Sequence, residues 1–237
     1  MFAPQEPWQP ALDWNTNAGH ALDRVIAALP RDRQWMINVF GSAPLQMALD
    51  PHFASADVDI FTREDWREVV LSAIAAVGLD KSQSEFFVQC VPETAFRTSP
   101  RWRDRAFGTE RGGIAFRFAH PIDILIGKLN RLADKDVRAF HLVIDKTGHP
   151  TDAELIAELR IAPELFSFAM MPLFGEGVSF WQNVEALWPQ FFGRKIDVEK
   201  EILIPARDAL REAYDTPDWR ADLEKLAQEP PEAGRGE

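Results

Sequence analysis

Cysteine is nearly absent from this 237-residue chain, where Cys90 stands alone. No internal disulfide can staple the fold, and a reducing, cytoplasmic setting is expected. Long hydrophobic runs are lacking as well. The longest apolar stretch, Val69 to Leu79, is too short to cross a bilayer, so no membrane partner is expected. The opening residues, Met1-Phe2-Ala3-Pro4-Gln5-Glu6-Pro7, hold neither a basic segment nor an apolar core, and no signal peptide is expected there. Positive charge is scarce: 26 Lys+Arg against 37 Asp+Glu leave a net charge of −11. A chain this acidic does not coat nucleic acid with its whole surface, so any such contact has to come from a local basic patch. The five histidines show no zinc-ligand spacing, and there is neither a nucleophile elbow nor a Walker A loop.

What is present is an ordinary globular composition, 46% hydrophobic and 27% charged, in a chain long enough for a sizeable core. The patterning divides it. Residues 1–17 read as an arm carrying Trp8 and Trp14, ordered if the tryptophans dock. From 18 to 148 helices and strands are mixed. Helical spacing of Leu22, Val25, Ile26 and Leu29 predicts a helix over 20–29, ended by Pro30. Strands are predicted over 35–40, 57–61, 85–91 and 114–119, with short helices over 43–49 and 62–77. Residues 92–113 read as a long loop, and 121–144 as one continuous helix.

Beyond residue 149 no strand is predicted. Thr151-Asp152-Ala153-Glu154 is a capping box. Helices are expected at 152–160, 163–170, 178–188, 198–214 and 217–228, followed by a disordered tail over 229–237. The expected fold class is therefore α+β, a mixed sheet flanked by helices and followed by an all-helical C-terminal part.

The chemistry concentrates in two short segments. Phe40-Gly41-Ser42 closes a strand and opens a helix. Glycine there lets a backbone approach a ligand closely, and free N–H groups at a helix start attract phosphate. Asp57 and Asp59 then stand two apart on the next strand. They share a face, with Cα atoms roughly 6.6 Å apart at about 3.3 Å rise per residue. Two such carboxylates repel each other unless a divalent cation joins them, and Mg²⁺ takes one or two carboxylates together with substrate phosphates. The plainer readings are a strand-to-helix turn with a serine cap, and the solvated face of an edge strand.

The pattern resembles the nucleotidyltransferase superfamily typified by DNA polymerase β, whose signature is a hydrophobic strand, Gly-Ser, a spacer, and then two acids flanking one residue. A second block, His120-Pro121-Ile122-Asp123-Ile124-Leu125-Ile126-Gly127-Lys128 with Arg131 and Lys135-Asp136, looks like elements of the abortive-infection, toxin–antitoxin branch of that superfamily. That branch often carries a further acid three positions after the Lys-Asp pair, where this chain has Ala139. The resemblance spans residues 20 to 145.

It implies that Asp57 and Asp59 hold Mg²⁺, that Gly41 and Ser42 contact the triphosphate of a nucleoside triphosphate, and that Lys128 neutralises phosphate charge. The superfamily's third carboxylate, which helps activate the acceptor hydroxyl, is assigned to Asp123. The acceptor would be RNA, a protein or a small molecule, with a cognate protein partner if the system is of toxin–antitoxin type. The alternative is a catalytically silent module of the same fold, acting as a nucleotide sensor or in protein pairing.

The remaining charges have two readings each. Asp136 is either a functional partner of Lys128 or an intrahelical ion-pair acceptor for Arg131 or Lys135. Arg101, Arg103 and Arg105, with Arg97, Arg111 and Trp102, form a local basic concentration in an acidic chain. They either contact phosphate and acceptor or form a solvated loop.

Overall fold

The computed structural model describes residues 8–162 and 176–214. The helices predicted over 163–170 and 217–228 and the tail lie outside the described residues.

There are five strands: β1 (Met36–Phe40), β2 (Asp57–Phe61), β3 (Phe87–Cys90), β4 (Phe107–Arg111) and β5 (Ile114–Phe118), with helices between all but the last two. They form one mixed sheet in the order β3-β2-β1-β5-β4. β1 runs antiparallel to β2 and parallel to β5, while β3 lies parallel to β2. β4 and β5 form an antiparallel hairpin turned at Gly112 and Gly113, both at positive φ. β4 lies within the span predicted as loop. Its sequence, Phe-Gly-Thr-Glu-Arg, is polar and mostly exposed, as suits an edge strand.

Period-two alternation gives the sheet two different faces. Ile37, Val39, Val58, Ile60, Val88, Phe116 and Phe118 point to one face. They share a core with α1 (Asn17–Ala28), α2 (Ala43–Ala48) and α3 (Arg67–Ala76). Trp14 of the arm closes that side, edge-on to Phe116 at 5.7 Å and Phe118 at 6.2 Å. Thr16 caps α1 by accepting from the Gly19 N–H at 3.1 Å. Trp8 docks as well, edge-on to Phe107 at 6.3 Å and to His120 at 5.4 Å.

Phe40 and Phe61 point to the other face, and the second core grows from them. It takes in Phe96, Trp102, α5 (Pro121–Lys128), α6 (Asp134–Thr147), α7 (Asp152–Leu159), α8 (Glu176–Phe192) and α9 (Ile204–Tyr214), the last preceded by wider π-type turns over Glu199–Leu203. Thr151 and Glu154 make the expected capping box at the start of α7, at 3.3 and 2.7 Å.

The segment predicted as a single helix over 121–144 is broken. α5 ends at Lys128, Leu132 adopts a left-handed φ of 50°, and α6 starts at Asp134. Asp136 accepts the Ala133 N–H at 3.0 Å and so caps α6 from within its first turn.

The segment from residue 93 to 105, including the short α4 (Trp102–Arg105), is pinned by a buried polar cluster. Arg105 donates to both Asp123 oxygens, at 3.1 and 2.6 Å, and pairs with Glu158 of α7 at 2.8 Å. Ser99 donates to Glu158 at 2.7 Å, and Thr98 donates to Asp123. The Asp123 side chain is wholly buried and that of Arg105 is 14% exposed. Removing one partner of such a pair strands the other in the interior. Asp123→Ala is expected to cost about 3 kcal/mol in urea unfolding, with the m-value unchanged. A loss no larger than that of an exposed control such as Asp32→Ala would show that the cluster does not pin the loop.

Candidate metal and phosphate site

Antiparallel pairing sets Asp59 opposite Phe40, the last residue of β1. Asp57 stands two residues earlier on β2 and on the same face, at the level of the turn into α2. Both acids therefore sit where β1 gives way to Gly41 and Ser42. Gly41 has φ 68°, a conformation that side-chain-bearing residues rarely adopt. A Cβ placed there would clash with the Asp59 Oδ2 and stand 3.1 Å from its Cγ. Glycine is thus required twice, for the turn and for the close approach of the carboxylate.

A pocket of about 210 Å³ opens beside Asp59, walled by Phe40, Gly41, Phe96, Gly127, Lys128, Arg131 and Asp136. Lys128, its side chain 9% exposed, donates to the Ser42 hydroxyl at 3.1 Å and to Asp136 Oδ1 at 3.0 Å. Arg131 donates twice to Asp136, both at 3.0 Å, with most of its side chain in solvent. Asp136 thus accepts from Lys128 and from Arg131, the latter from the turn ahead of α6 and not from within one helix, and it also caps α6. Gly127 keeps α5 close to the loop, since a Cβ on it would lie 3.3 Å from the Arg97 carbonyl oxygen.

The electrostatics follow from burial. Burial, with Asp57 as a like-charged neighbour, pushes the Asp59 carboxyl up to about 6, against the opposing influence of Lys128, Lys135 and Arg131. Burial pulls the Lys128 ammonium below its ordinary range, with Asp136 acting against it. Burial acts to raise Asp136 as well, but the hydrogen bond from Arg131 and the charge of Lys128 overrule it and hold the carboxyl low.

Gly41, Asp59, Lys128 and Asp136 line one pocket; Ser42 adjoins it through its contact with Lys128, and Asp57 stands beside Asp59 without lining it. Asp123 does not join them. It lies in the first turn of α5 with both oxygens engaged by Arg105, and burial pushes its pKa up against those bonds. The assignment of Asp123 as third carboxylate is corrected on this ground: its oxygens close an internal ion pair and it does not line the pocket.

Two of the three arginines assigned to phosphate or acceptor are likewise committed elsewhere. Arg105 is locked in the buried cluster, and Arg103 pairs with Glu93 while stacking over Trp102 at 5.0 Å. Arg101 is more open, 3.8 Å from Glu158 with its side chain 62% exposed. Contributors not anticipated include Phe96, Ile124, Gly127 and Arg131 in the walls, and Gln89 of β3, whose Nε2 donates to Asp59 Oδ1 at 3.4 Å. Alternation along Phe-Val-Gln-Cys carries the signal for Gln89, because its one polar side chain points to the acidic face.

A larger cleft of about 400 Å³ lies at the other end of α5, between Trp8, His120, Val143 and Pro150. Burial, with Arg105 nearby, drives the His120 imidazole down to about 4. None of the residues predicted for the site lines this cleft.

Among the described residues no group of three or more His, Cys, Asp or Glu is arranged to hold a metal by itself. Two carboxylates on one face fit a cation that draws its remaining ligands from phosphate and water. Comparison with protein-family models, curated proteins and solved structures finds no match to this chain.

The raised Asp59 pKa fixes a pH dependence. The folded state binds this proton more tightly than the unfolded chain, with a pKa of about 6 against the ordinary 3.8. The favourable contribution is complete below the unfolded value and is lost as pH rises through 6, a span worth at most about 3 kcal/mol. Asp59→Asn is expected to melt higher than wild type at pH 8, with the difference shrinking toward pH 4. Equal melting temperatures across the range would refute a strained Asp59. Gly41→Ala is expected to melt lower than wild type at every pH, because the backbone strain does not titrate.

Proposed function

We propose that this protein is a Mg²⁺-dependent nucleotidyltransferase, moving a nucleoside monophosphate from a nucleoside triphosphate to an acceptor hydroxyl. The observation that carries the reading is the packing of Asp59 over Gly41, at the same strand end where Lys128 reaches Ser42. Asp59 and the cations Lys128 and Arg131 thereby line one small pocket, with Ser42 and Asp57 adjacent to it.

When bound, Mg²⁺ supplies charge neutralisation and an anchor for phosphate oxygens. The chain's own groups do the rest. Asp57 and Asp59 provide the negative face. The backbone at Gly41 leaves room for a phosphate to approach, and the Ser42 hydroxyl can donate to it. Lys128 and Arg131 carry positive charge into the pocket wall, where it opposes charge developing on the leaving pyrophosphate. Asp136 orients both cations. The pocket is smaller than the roughly 300–1,000 Å³ of ordinary ligand sites, which suits phosphates with the nucleoside resting outside.

The displacement of Asp123 from the pocket favours one alternative, a module that binds nucleotide without turnover. A labelling assay separates the two. Protein, Mg²⁺ and each α-³²P-labelled nucleoside triphosphate are incubated with cellular RNA and extract, beside an Asp57→Ala/Asp59→Ala double variant. Transfer by wild type that the variant lacks is the expected result, and the labelled species names the acceptor class. Mg²⁺-dependent nucleotide binding without transfer would select the silent module. Absence of both would refute a nucleotide site.

A further inference from the structure

The cleft of about 400 Å³ at the start of α5 shares no lining residue with the Asp59 pocket, and its volume falls within the roughly 300–1,000 Å³ of ordinary ligand sites. α5 runs between the two, and its eight residues span about 12 Å at 1.5 Å each. Trp8, Ile122, Val143 and Pro150 give the cleft apolar walls, and two imidazoles, His120 and His149, stand among them.

Hydrogen bonds to the chain fix the tautomer of each ring. His120 caps α5: its Nδ1 accepts the Ile122 N–H at 3.2 Å, so that nitrogen carries no proton and the ring's N–H is at Nε2. Among the described residues no oxygen or nitrogen accepts from this Nε2. Burial, with Arg105 nearby, keeps the ring neutral. His149 is the reverse. Its Nδ1 lies 2.9 Å from Glu154 Oε2, and an ionised carboxylate only accepts, so Nδ1 carries the proton and the neutral ring keeps a lone pair at Nε2. One cleft thus offers an N–H donor and a nitrogen acceptor on two rings.

The charges select against ions. An anion would meet the Glu154 carboxylate, and a His120 ring that cannot take a second proton without giving up its cap. An organic cation would meet the His120 N–H, with the Arg105 charge nearby. We infer that the cleft binds an uncharged planar heterocycle that carries a hydrogen-bond acceptor beside an N–H donor, the chemistry of a nucleobase. His120 Nε2 donates to the acceptor, His149 Nε2 receives the N–H, and Trp8 with Pro150 supplies flat apolar contact. Neither Mg²⁺ nor phosphate is needed there, so this ligand is independent of the nucleotidyltransferase reading.

The probes are adenosine, guanosine, cytidine and uridine, which lack phosphate, each titrated into the full chain in EDTA and followed by saturation-transfer NMR and calorimetry. At least one is expected to bind with a Kd below about 1 mM. His120→Asn keeps an oxygen to cap α5 and removes the donor. His149→Ala removes the acceptor. Each is expected to weaken binding about tenfold, the loss of one hydrogen bond. Binding of none of the four nucleosides would overturn the inference, as would binding that both variants leave intact. Loss of binding in the Asp57→Ala/Asp59→Ala variant would place the nucleoside in the other pocket and overturn it too. If His120→Asn fails to fold by circular dichroism, His149→Ala decides, because that side chain is 54% exposed. None of these outcomes depends on the labelling assay, so the two readings fail separately.

Discussion

The closeness of the Asp59 carboxylate to the backbone of Gly41 is the constraint on which the site depends. β1 and β2 are antiparallel neighbours, so the end of one meets the beginning of the other. That meeting places an acid against a turn, and only a residue without a side chain leaves space for it. Glycine costs helix and strand stability elsewhere, through the freedom it loses on folding. Here no other residue meets both requirements, the positive φ and the missing Cβ.

Confining Asp59 has an electrostatic consequence. Burial and the neighbouring Asp57 make its ionised form costly, and the cations Lys128 of α5, Lys135 of α6 and Arg131 of the turn between them offset only part of that cost. The break between α5 and α6 brings those cations into place. Had the two formed one rod, Arg131 would lie on a helix face set by the 3.6-residue period. The chain instead turns at Leu132, and Asp136 comes back to receive Lys128, Arg131 and the Ala133 N–H together. Helix capping and site assembly are accomplished by one carboxylate. This accounts for its full burial despite its charge: every cation it meets is hydrogen-bonded to it.

The basic loop shows how tertiary contact redistributes charge that looks uniform along the chain. Arg101, Arg103 and Arg105 alternate over five residues, yet each meets a different environment. Arg105 turns inward to Asp123 and Glu158, Arg103 spans to Glu93, and Arg101 stays mostly in solvent. The loop is thus fastened to α5 and α7 by some of the residues that spacing had offered to phosphate. Phe96 and Trp102 pack edge-on at 5.7 Å and tie the same segment to the second core.

What the sequence by itself determined is what short-range rules govern. Alternation put Asp57 and Asp59 on one face, the Gly41-Ser42 pair marked the end of β1, and the box at Thr151 started α7 where it was expected. These follow from backbone geometry within a few residues. Only the tertiary structure decided that Asp123 would be consumed by Arg105, eighteen positions away, and Lys128 by Ser42, eighty-six positions away. It decided equally that Gln89, thirty positions on, would stand beside Asp59, and that a polar segment would become the edge strand β4. Ion pairing and strand register are contests among all charges and strands that the fold brings within reach. Their outcome is set by which groups lose water together, and spacing along the chain does not carry that.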